Sequence, residues 1–367
     1  MNKQSKPHYE ILDGLRGVAA LVVVCYHIFE AFATSHLDQR VNHGYLAVDF
    51  FFLLSGFVVG YAYDGRRIGV GEFFKRRLIR LHPMVVAGAV IGAGLFYFQT
   101  FWDVGAVGIG ALALAFVLSA LLIPVTPGME VRGLGEMFPL NGPAWSLFFE
   151  YLGNIVYVLL IRRLPTFALS VLVAAAGCGL AVVAIGGEWG DIGLGWQLTG
   201  EQFVGGGLRL LFSFSAGLLM SRLFKPSGGV VKYAFWICTP VLVALLAMPR
   251  VGDGNSLWMN GVYDVLCCAV AFPAIVWLGA RGGTRSTRVT RFLGEISYPL
   301  YIVHYPLIYI YYGWVKTNEL SFTESLPGAV ALLLASIALA WLCLRFYDAP
   351  LRRRLSQRFL RIKENGR

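Results

Sequence analysis

Apolar runs about as long as a membrane is thick recur from one end of this chain to the other, and they constrain its fold more than anything else in it. A helix needs ~20 such residues to cross the hydrocarbon. Candidate spans lie at roughly 14–34, 44–63, 83–102, 145–161, 165–186, 203–222, 232–248, 257–279, 294–314 and 326–346. Composition agrees: 57% of the residues are hydrophobic and 14% charged, against about 45–50% and about 25% in soluble domains. The expectation is an all-α polytopic bundle of about ten transmembrane helices. No cleavable signal peptide is evident, because the first run lacks a small-residue cleavage site and carries Arg16 and His27.

Loop charge orients the bundle. Basic residues gather at Lys3, Lys6 and Arg16, at Arg66, Arg67, Lys75, Arg76, Arg77 and Arg80, and at Arg162 and Arg163. They recur at Arg222, Lys225 and Lys232, then at Arg281, Arg285, Arg288 and Arg291. The tail 347–367 adds Arg352, Arg353, Arg354, Arg358, Arg361 and Lys363. By the positive-inside rule these face the cytoplasm, with both termini. Loop 187–202 has Glu188, Asp191 and Glu201 but no base, which suits the outside. An even number of crossings then leaves one apolar segment too many. The Gly-rich segment 105–125 is demoted to a re-entrant or peripheral piece.

The net charge of +10 is scattered over these loops. It serves orientation and attraction to membrane lipid rather than nucleic-acid binding. The six cysteines sit inside apolar runs and read as small core residues, with no disulfide or metal site expected. With no internal repeat or linker, residues 1–367 read as one membrane domain, without an appended soluble domain.

The stretch Asp13–Glu30 reads DGLRGVAALVVVCYHIFE. Arg16 and His27 are eleven positions apart, close to three helical turns, so they share a face about 16 Å apart along the axis. Asp13 and Glu30 lie near the same stripe, each about one turn outside the pair. Charged groups at membrane depth are costly, and where they occur they usually face a bundle interior and serve function. On position alone, Arg16 could equally be an interfacial anchor and His27 a satisfied core residue.

Further signals follow in order. GYLAVDFFFLLSGFVVG (44–60) carries Asp49 and a Ser55-Gly56 pair suited to close helix approach. FFKRRLIRLHP (73–83) sets Arg77 and Arg80 one turn apart, beside Lys75 and Arg76. PAWSLFFEY (143–151) places Trp145, Ser146 and Glu150 at the start of a span, where Trp145 could be only an interfacial belt residue. LGEISYPLYIVHYPL (293–307) adds Glu295, Ser297, Tyr298 and His304, and FYDAPLRRR (346–354) closes the last helix.

This ordered set resembles the acyltransferase-3 family of bacterial membrane enzymes that O-acylate cell-surface glycans. The resemblance runs from Leu12 to Arg354. Its most specific parts are the Arg16–His27 spacing, the VDFFFLLSGF block, the Arg77/Arg80 pair and WSLFFE. One departure is Asp348 where many relatives carry Glu, which keeps the charge and shortens its reach. The resemblance implies a bacterial plasma (inner) membrane location. It also implies acetyl-coenzyme A, or another acyl-CoA, as co-substrate with no metal, and a glycan or lipid-linked sugar as acceptor.

The residues fit that chemistry. An alcohol at neutral pH needs a base, and His27 is the candidate. Glu150 is the candidate to hold its imidazole in one tautomer. Arginine forks suit phosphate oxygens, so Arg77, Arg80, Arg76 and Lys75 are assigned to the donor's nucleotide end. The bland reading makes that loop a topology signal. Arg16 would position the donor or polarise its thioester. Trp145, Ser146, Asp49 and Tyr298 are candidate substrate contacts. Direct transfer and an acyl-enzyme on His27, Ser146 or Ser297 both stay open. His304 reads as a packing group. Asp49, Arg209 and Asp264, near outer helix ends, would line the acceptor side or meet water. The rival function is a transporter or flippase of a glycan or lipid intermediate, which an inverted repeat would have favoured.

Overall fold

The computed structural model describes residues 9–35, 37–66, 68–99, 101, 104–224, 230–282 and 287–360. Lys3, Lys6, Arg67, Lys225, Arg285, Arg361 and Lys363 of the charge argument lie outside the described residues. Among the described residues there are helices and no strand. In chain order they begin with α1 (Glu10–Glu30), α2 (Ala47–Tyr63), α3 (Val70–Phe98), α4 (Val104–Val107) and α5 (Ile109–Ala120). Next come α6 (Ala144–Leu159), α7 (Thr166–Gly186), α8 (Gly200–Leu223), α9 (Ala234–Ala247) and α10 (Trp258–Leu266). The last are α11 (Phe272–Arg281), α12 (Arg288–Thr317), α13 (Phe322–Leu342) and α14 (Ala349–Phe359). Short π-helical turns join α10 to α11 and α13 to α14.

Among the described residues, eight helical stretches are long and apolar enough to cross a membrane, and they coincide with eight of the expected spans. The other two differ for physical reasons. α9 has 14 residues, or about 21 Å, against ~30 Å of hydrocarbon. α12 has 30 residues but is diluted by tyrosines and by Pro299 and Pro306. The helical core of segment 105–125 is α5, 12 residues long, or about 18 Å.

The described chain forms two compact units. The first runs to Ala62 and continues through Thr166–Gly193 and Leu208–Tyr298. There α1 packs against α9 and α11, and α7 against α10. Glycines set the closest approaches, as expected where helices meet without a hydrophobic drive. A Cβ on Gly17 would strike the Leu293 backbone, and one on Gly294 would strike Asp13. Likewise Gly56 faces the Phe214 carbonyl and Gly217 the Leu53 carbonyl. Gly56 of the Ser55-Gly56 pair therefore does what small residues in membranes do.

The second unit comprises Tyr63–Pro165, Leu194–Gly207 and the chain from Pro299 onward. α3 packs against α5, α6 and α14, around a core of Phe96, Leu112, Ala115, Val131 and Leu140. Pro306 has no N–H to give the carbonyl one turn back, at Ile302. The Asn141 side chain supplies that donor instead, Nδ2 to Ile302 O at 3.0 Å. A freed carbonyl is satisfied, and the 141 loop is pinned to α12.

Candidate active site

In the first unit α1 carries a half-open titratable stripe. Asp13, Arg16, His27 and Glu30 are each partly exposed, whereas Val23 and Val24 between them are buried. Arg16 is held at both ends of its guanidinium. Its Nε donates to Ser297 Oγ at 2.8 Å, and Nη2 donates to Gly294 O at 3.3 Å and meets Asp13 Oδ1 at 3.0 Å. The Gly17 and Gly294 approaches make this reach possible. Eleven positions further on, His27 Nδ1 lies 2.8 Å from Glu30 Oε2, with the His27 side chain 14% exposed. A carboxylate on Nδ1 fixes the proton there and makes Nε2 the basic nitrogen. The sequence points to Glu150 for that role. Glu30, one turn along, is legible in the sequence as a member of the stripe but not as the brace of the imidazole.

Asp49, Arg209 and Asp264 are closed off from solvent. All three are buried to 1% exposure or less, contrary to the expectation that they meet water. Arg209 grips Asp49 with Nε at 3.2 Å and Nη2 at 2.6 Å, and Nη2 also reaches Tyr45 O at 2.8 Å. Tyr45 Oη and the Ile192 N–H both donate to Asp264 Oδ2, at 2.9 and 3.0 Å. A guanidinium fork replaces the hydration of Asp49, while Asp264 Oδ1 is buried without a hydrogen-bond partner among the described residues. Tyr298 is half-buried at the end of this unit.

In the second unit the arginine-rich helix splits its pair. Arg80 is exposed, whereas Arg77 is buried and donates from Nη2 to Glu150 Oε1 at 2.6 Å. Positions three apart on a helix differ by about 60° around the axis, enough to send one inward and one outward. Arg77 is thus an internal partner of Glu150. Glu150 is correspondingly engaged by Arg77. Lys75 is exposed, and Arg76 pairs with Glu72 at 2.6 Å.

Arg76 and Arg80 line an open cavity of about 370 Å³ with Tyr63 of α2 and with Arg352, Arg353 and Ser356 of α14. No carboxylate lines it. Trp145 is buried edge-on against Phe149. Ser146 is buried too, its Oγ donating to Pro143 O at 3.0 Å and lying 2.7 Å from Tyr301 Oη. Ser297 donates to Gly294 O at 2.8 Å while accepting from Arg16. His304 is fully buried with Nδ1 on the Leu300 carbonyl, 3.0 Å away, as suits a packing group.

Two residues that sequence reasoning misses are Arg132 and Glu136, in the loop before α6. Glu136 is buried and accepts from Tyr305 Oη at 3.0 Å and from Tyr309 Oη. The Arg132 guanidinium stacks 3.7 Å over the Tyr309 ring and donates from Nε to Pro139 O. Burial pushes the Glu136 carboxyl up to about 7, against the pull of the tyrosine hydrogen bonds and Arg132. The only sequence trace of this cluster is the four-residue spacing of Tyr305 and Tyr309. Among the described residues no group of His, Cys, Asp and Glu is arranged to hold a metal ion.

The acyltransferase domain family matches residues 9–345. The chain is 34% identical over 198 residues to protein 2 in the picA locus of Rhizobium radiobacter, covering 50% of this chain and 98% of that protein. It is 28% identical to acyltransferase MdmB of Streptomyces mycarofaciens over 358 residues, 90% of this chain and 87% of that one. O-acetyltransferase OatA of Staphylococcus aureus (strain NCTC 8325 / PS 47) is 25% identical over 378 residues, 96% of this chain but 59% of OatA. The chain thus spans less than two thirds of OatA's length. No solved structure matches it. With a helical membrane bundle that carries the Arg16–His27 helix, and a family match over almost its whole length, the chain belongs to the acyltransferase-3 family and is a membrane O-acyltransferase.

Proposed function

We propose that this chain transfers an acetyl group from acetyl-coenzyme A to a hydroxyl of a cell-surface or lipid-linked glycan, with His27 as general base. The observation that carries the reading is the His27–Glu30 pair, a carboxylate-braced imidazole on a partly open stripe of a membrane helix. Nε2 takes the acceptor's hydroxyl proton as the oxygen attacks the thioester carbonyl. The C–S bond then breaks, and the departing thiolate recovers the proton from the imidazolium. Arg16, about 16 Å from His27 along the axis and with its guanidinium held by Asp13, Ser297 and Gly294, is assigned to positioning the donor rather than to the reacting carbonyl.

Direct transfer is favoured over a serine relay. Both candidate hydroxyls are buried and committed, Ser146 to Pro143 and Tyr301, Ser297 to Gly294 and Arg16. The donor's nucleotide end is assigned to the cavity at Arg76 and Arg80, and Arg77 leaves the donor set. In this reading both termini and that cavity face the cytoplasm of a bacterial inner membrane, following the distribution of basic residues.

The test is purified protein in lipid nanodiscs with acetyl-coenzyme A and a panel of bacterial surface glycans. Thiol release and acetyl transfer to glycan are followed together. Both are expected to rise in step. Glycan movement across the bilayer with neither chemical signal would replace this reading with the flippase.

A further inference from the structure

The cavity at Arg76 and Arg80 has a second wall that the sequence presents only as a run of positive charge. α3 and α14 pack together, and α14 turns Arg352, Arg353 and Ser356 into the same space. The geometry points to α14 as the second jaw of a phosphate clamp. Arg353 and Arg80 would grip clustered phosphate oxygens of the donor's nucleotide end, with Arg352 and Ser356 beside them. This inference rests on the acyl-CoA reading above for the ligand's source, but not for its chemistry.

Three observations support the clamp. Arginine density is the first. Four guanidinium groups surround about 370 Å³ with no acid in the lining, and small-molecule pockets typically measure about 300–1,000 Å³. Like charges crowd this way at a cost unless an anion offsets them. Partnering is the second. Arg76 and Arg352 have intrahelical carboxylates, Glu72 at 2.6 Å and Asp348 at 2.9 Å. Among the described residues no ion pair holds Arg80 or Arg353. Positioning is the third. Asp348 is buried at the π-turn that ends α13 and ties down Arg352 one turn into α14. The Asp-x-Pro motif thereby fixes the register in which α14 presents its arginines to α3.

Clustered phosphate could also come from anionic lipid headgroups at the membrane surface. Arg80 from α3 and Arg353 from α14 line one space of about 370 Å³, a size that suits a compact polyphosphate, so the proposal commits to the nucleotide. The probe is adenosine 3′,5′-bisphosphate, titrated calorimetrically into the full chain in phosphatidylcholine nanodiscs. A parallel arm uses nanodiscs containing phosphatidylglycerol.

Arg353→Ala is expected to weaken binding about tenfold, the loss of one charge-assisted contact, and to flatten the salt dependence. Arg353→Lys should recover part of the affinity. Arg358→Ala, a change on the same helix outside the cavity lining, should bind like the parent. In the transfer assay Arg353→Ala should raise the acetyl-coenzyme A KM by a similar factor.

Absence of bisphosphate binding by the parent protein overturns the clamp. So does unchanged affinity in Arg353→Ala, or parent binding that phosphatidylglycerol abolishes, which would assign the site to lipid. The two readings fail separately. Transfer from acetyl-coenzyme A with an Arg353-independent KM sinks the clamp alone. Bisphosphate binding that depends on Arg353, without transfer from any acyl-CoA, sinks the donor reading alone.

Discussion

Two sets of charges in the same unit show how differently a membrane bundle can treat ions. Asp49 and Arg209 are sealed, at 0% and 1% side-chain exposure, and each satisfies the other. Arg16 and Asp13 on α1 keep about a quarter of their side chains exposed, at 25% and 24%, and His27 keeps 14%. A sealed pair has no room for a ligand atom, and its energetics are those of architecture. A half-open stripe has incurred much of the desolvation cost and still offers an edge to something else. Position in a helix does not separate the two, since Asp49 begins one span as conspicuously as His27 marks another. What separates them is how far their partners close them off: Asp49 and Arg209 are sealed, whereas Arg16, though held by Ser297 and Gly294, keeps 25% of its side chain exposed.

Removing the imidazole tests the open set most severely. His27→Ala should lower the transfer rate by about 10²–10⁴ while leaving thermal stability in detergent unchanged. Equal rates would move the stripe into the architectural class. The sealed pair should behave in the opposite sense. Arg209→Ala leaves the Asp49 carboxylate buried without its fork and should destabilise the fold by about 3–5 kcal/mol, with little change in kcat per folded molecule. Replacing both, as Asp49→Leu with Arg209→Met, should recover most of that loss, because the pair also bears two desolvation costs. Thermal unfolding of single and double variants measures this directly. A double variant no better than the single would mean that the pair is worth more than its Coulombic balance.

Glu136 is an intermediate case, a sealed carboxylate held by two tyrosine hydroxyls. Its carboxyl is raised to about 7 by burial, so the folded protein binds that proton more tightly than the unfolded chain does. Its contribution to stability is therefore full below the ordinary glutamate range and is lost as pH rises toward 7. The slope should be at most about 1.4 kcal/mol per pH unit. Unfolding midpoints measured from about pH 5 to about pH 7.5 should fall more steeply for the parent than for Glu136→Gln. Parallel curves would mean that the carboxyl is not a protonated hydrogen-bonding partner of the tyrosines.

How far these distinctions can be read from sequence depends on the range of the contact involved. The spacing of the α1 stripe is a single-helix property, so Asp13, Arg16, His27 and Glu30 can be read as a group, whereas the Ser297 and Gly294 contacts of Arg16 lie 281 and 278 positions away and cannot. Arg77 with Glu150 joins positions 73 apart and Asp49 with Arg209 positions 160 apart, and no periodicity encodes either. Hence the FFKRRLIR segment announces its arginines as a group, while only the folded chain turns Arg80 toward the cavity and Arg77 inward to Glu150. Arg132 and Glu136 sit in a Gly-rich loop without a hydrophobic period, and only tertiary packing onto α12 gives them meaning. The α14 arginines are visible, but a basic run after a last span is what any cytoplasmic tail looks like. The resemblance between motifs identifies the family because motif order survives where pairings cannot be seen.

The finest test of the open set concerns the carboxylate beside its base. Glu30→Gln keeps an oxygen that can accept from His27 Nδ1 at the observed 2.8 Å, so the ring should keep its tautomer and direction. What is lost is the negative charge that steadies the imidazolium formed when the acceptor's proton arrives. The expected effect is modest, a fall of about tenfold in kcat, with the acetyl-coenzyme A KM unchanged, because the proposal gives the donor's phosphates to Arg80 and Arg353. Glu30→Ala should fall further, since the ring then loses its orientation as well. A graded series (parent, Gln, Ala) in steady-state kinetics would show the carboxylate acting through the imidazole. A flat series would hand the orienting role to another group, with Glu150 the first to examine.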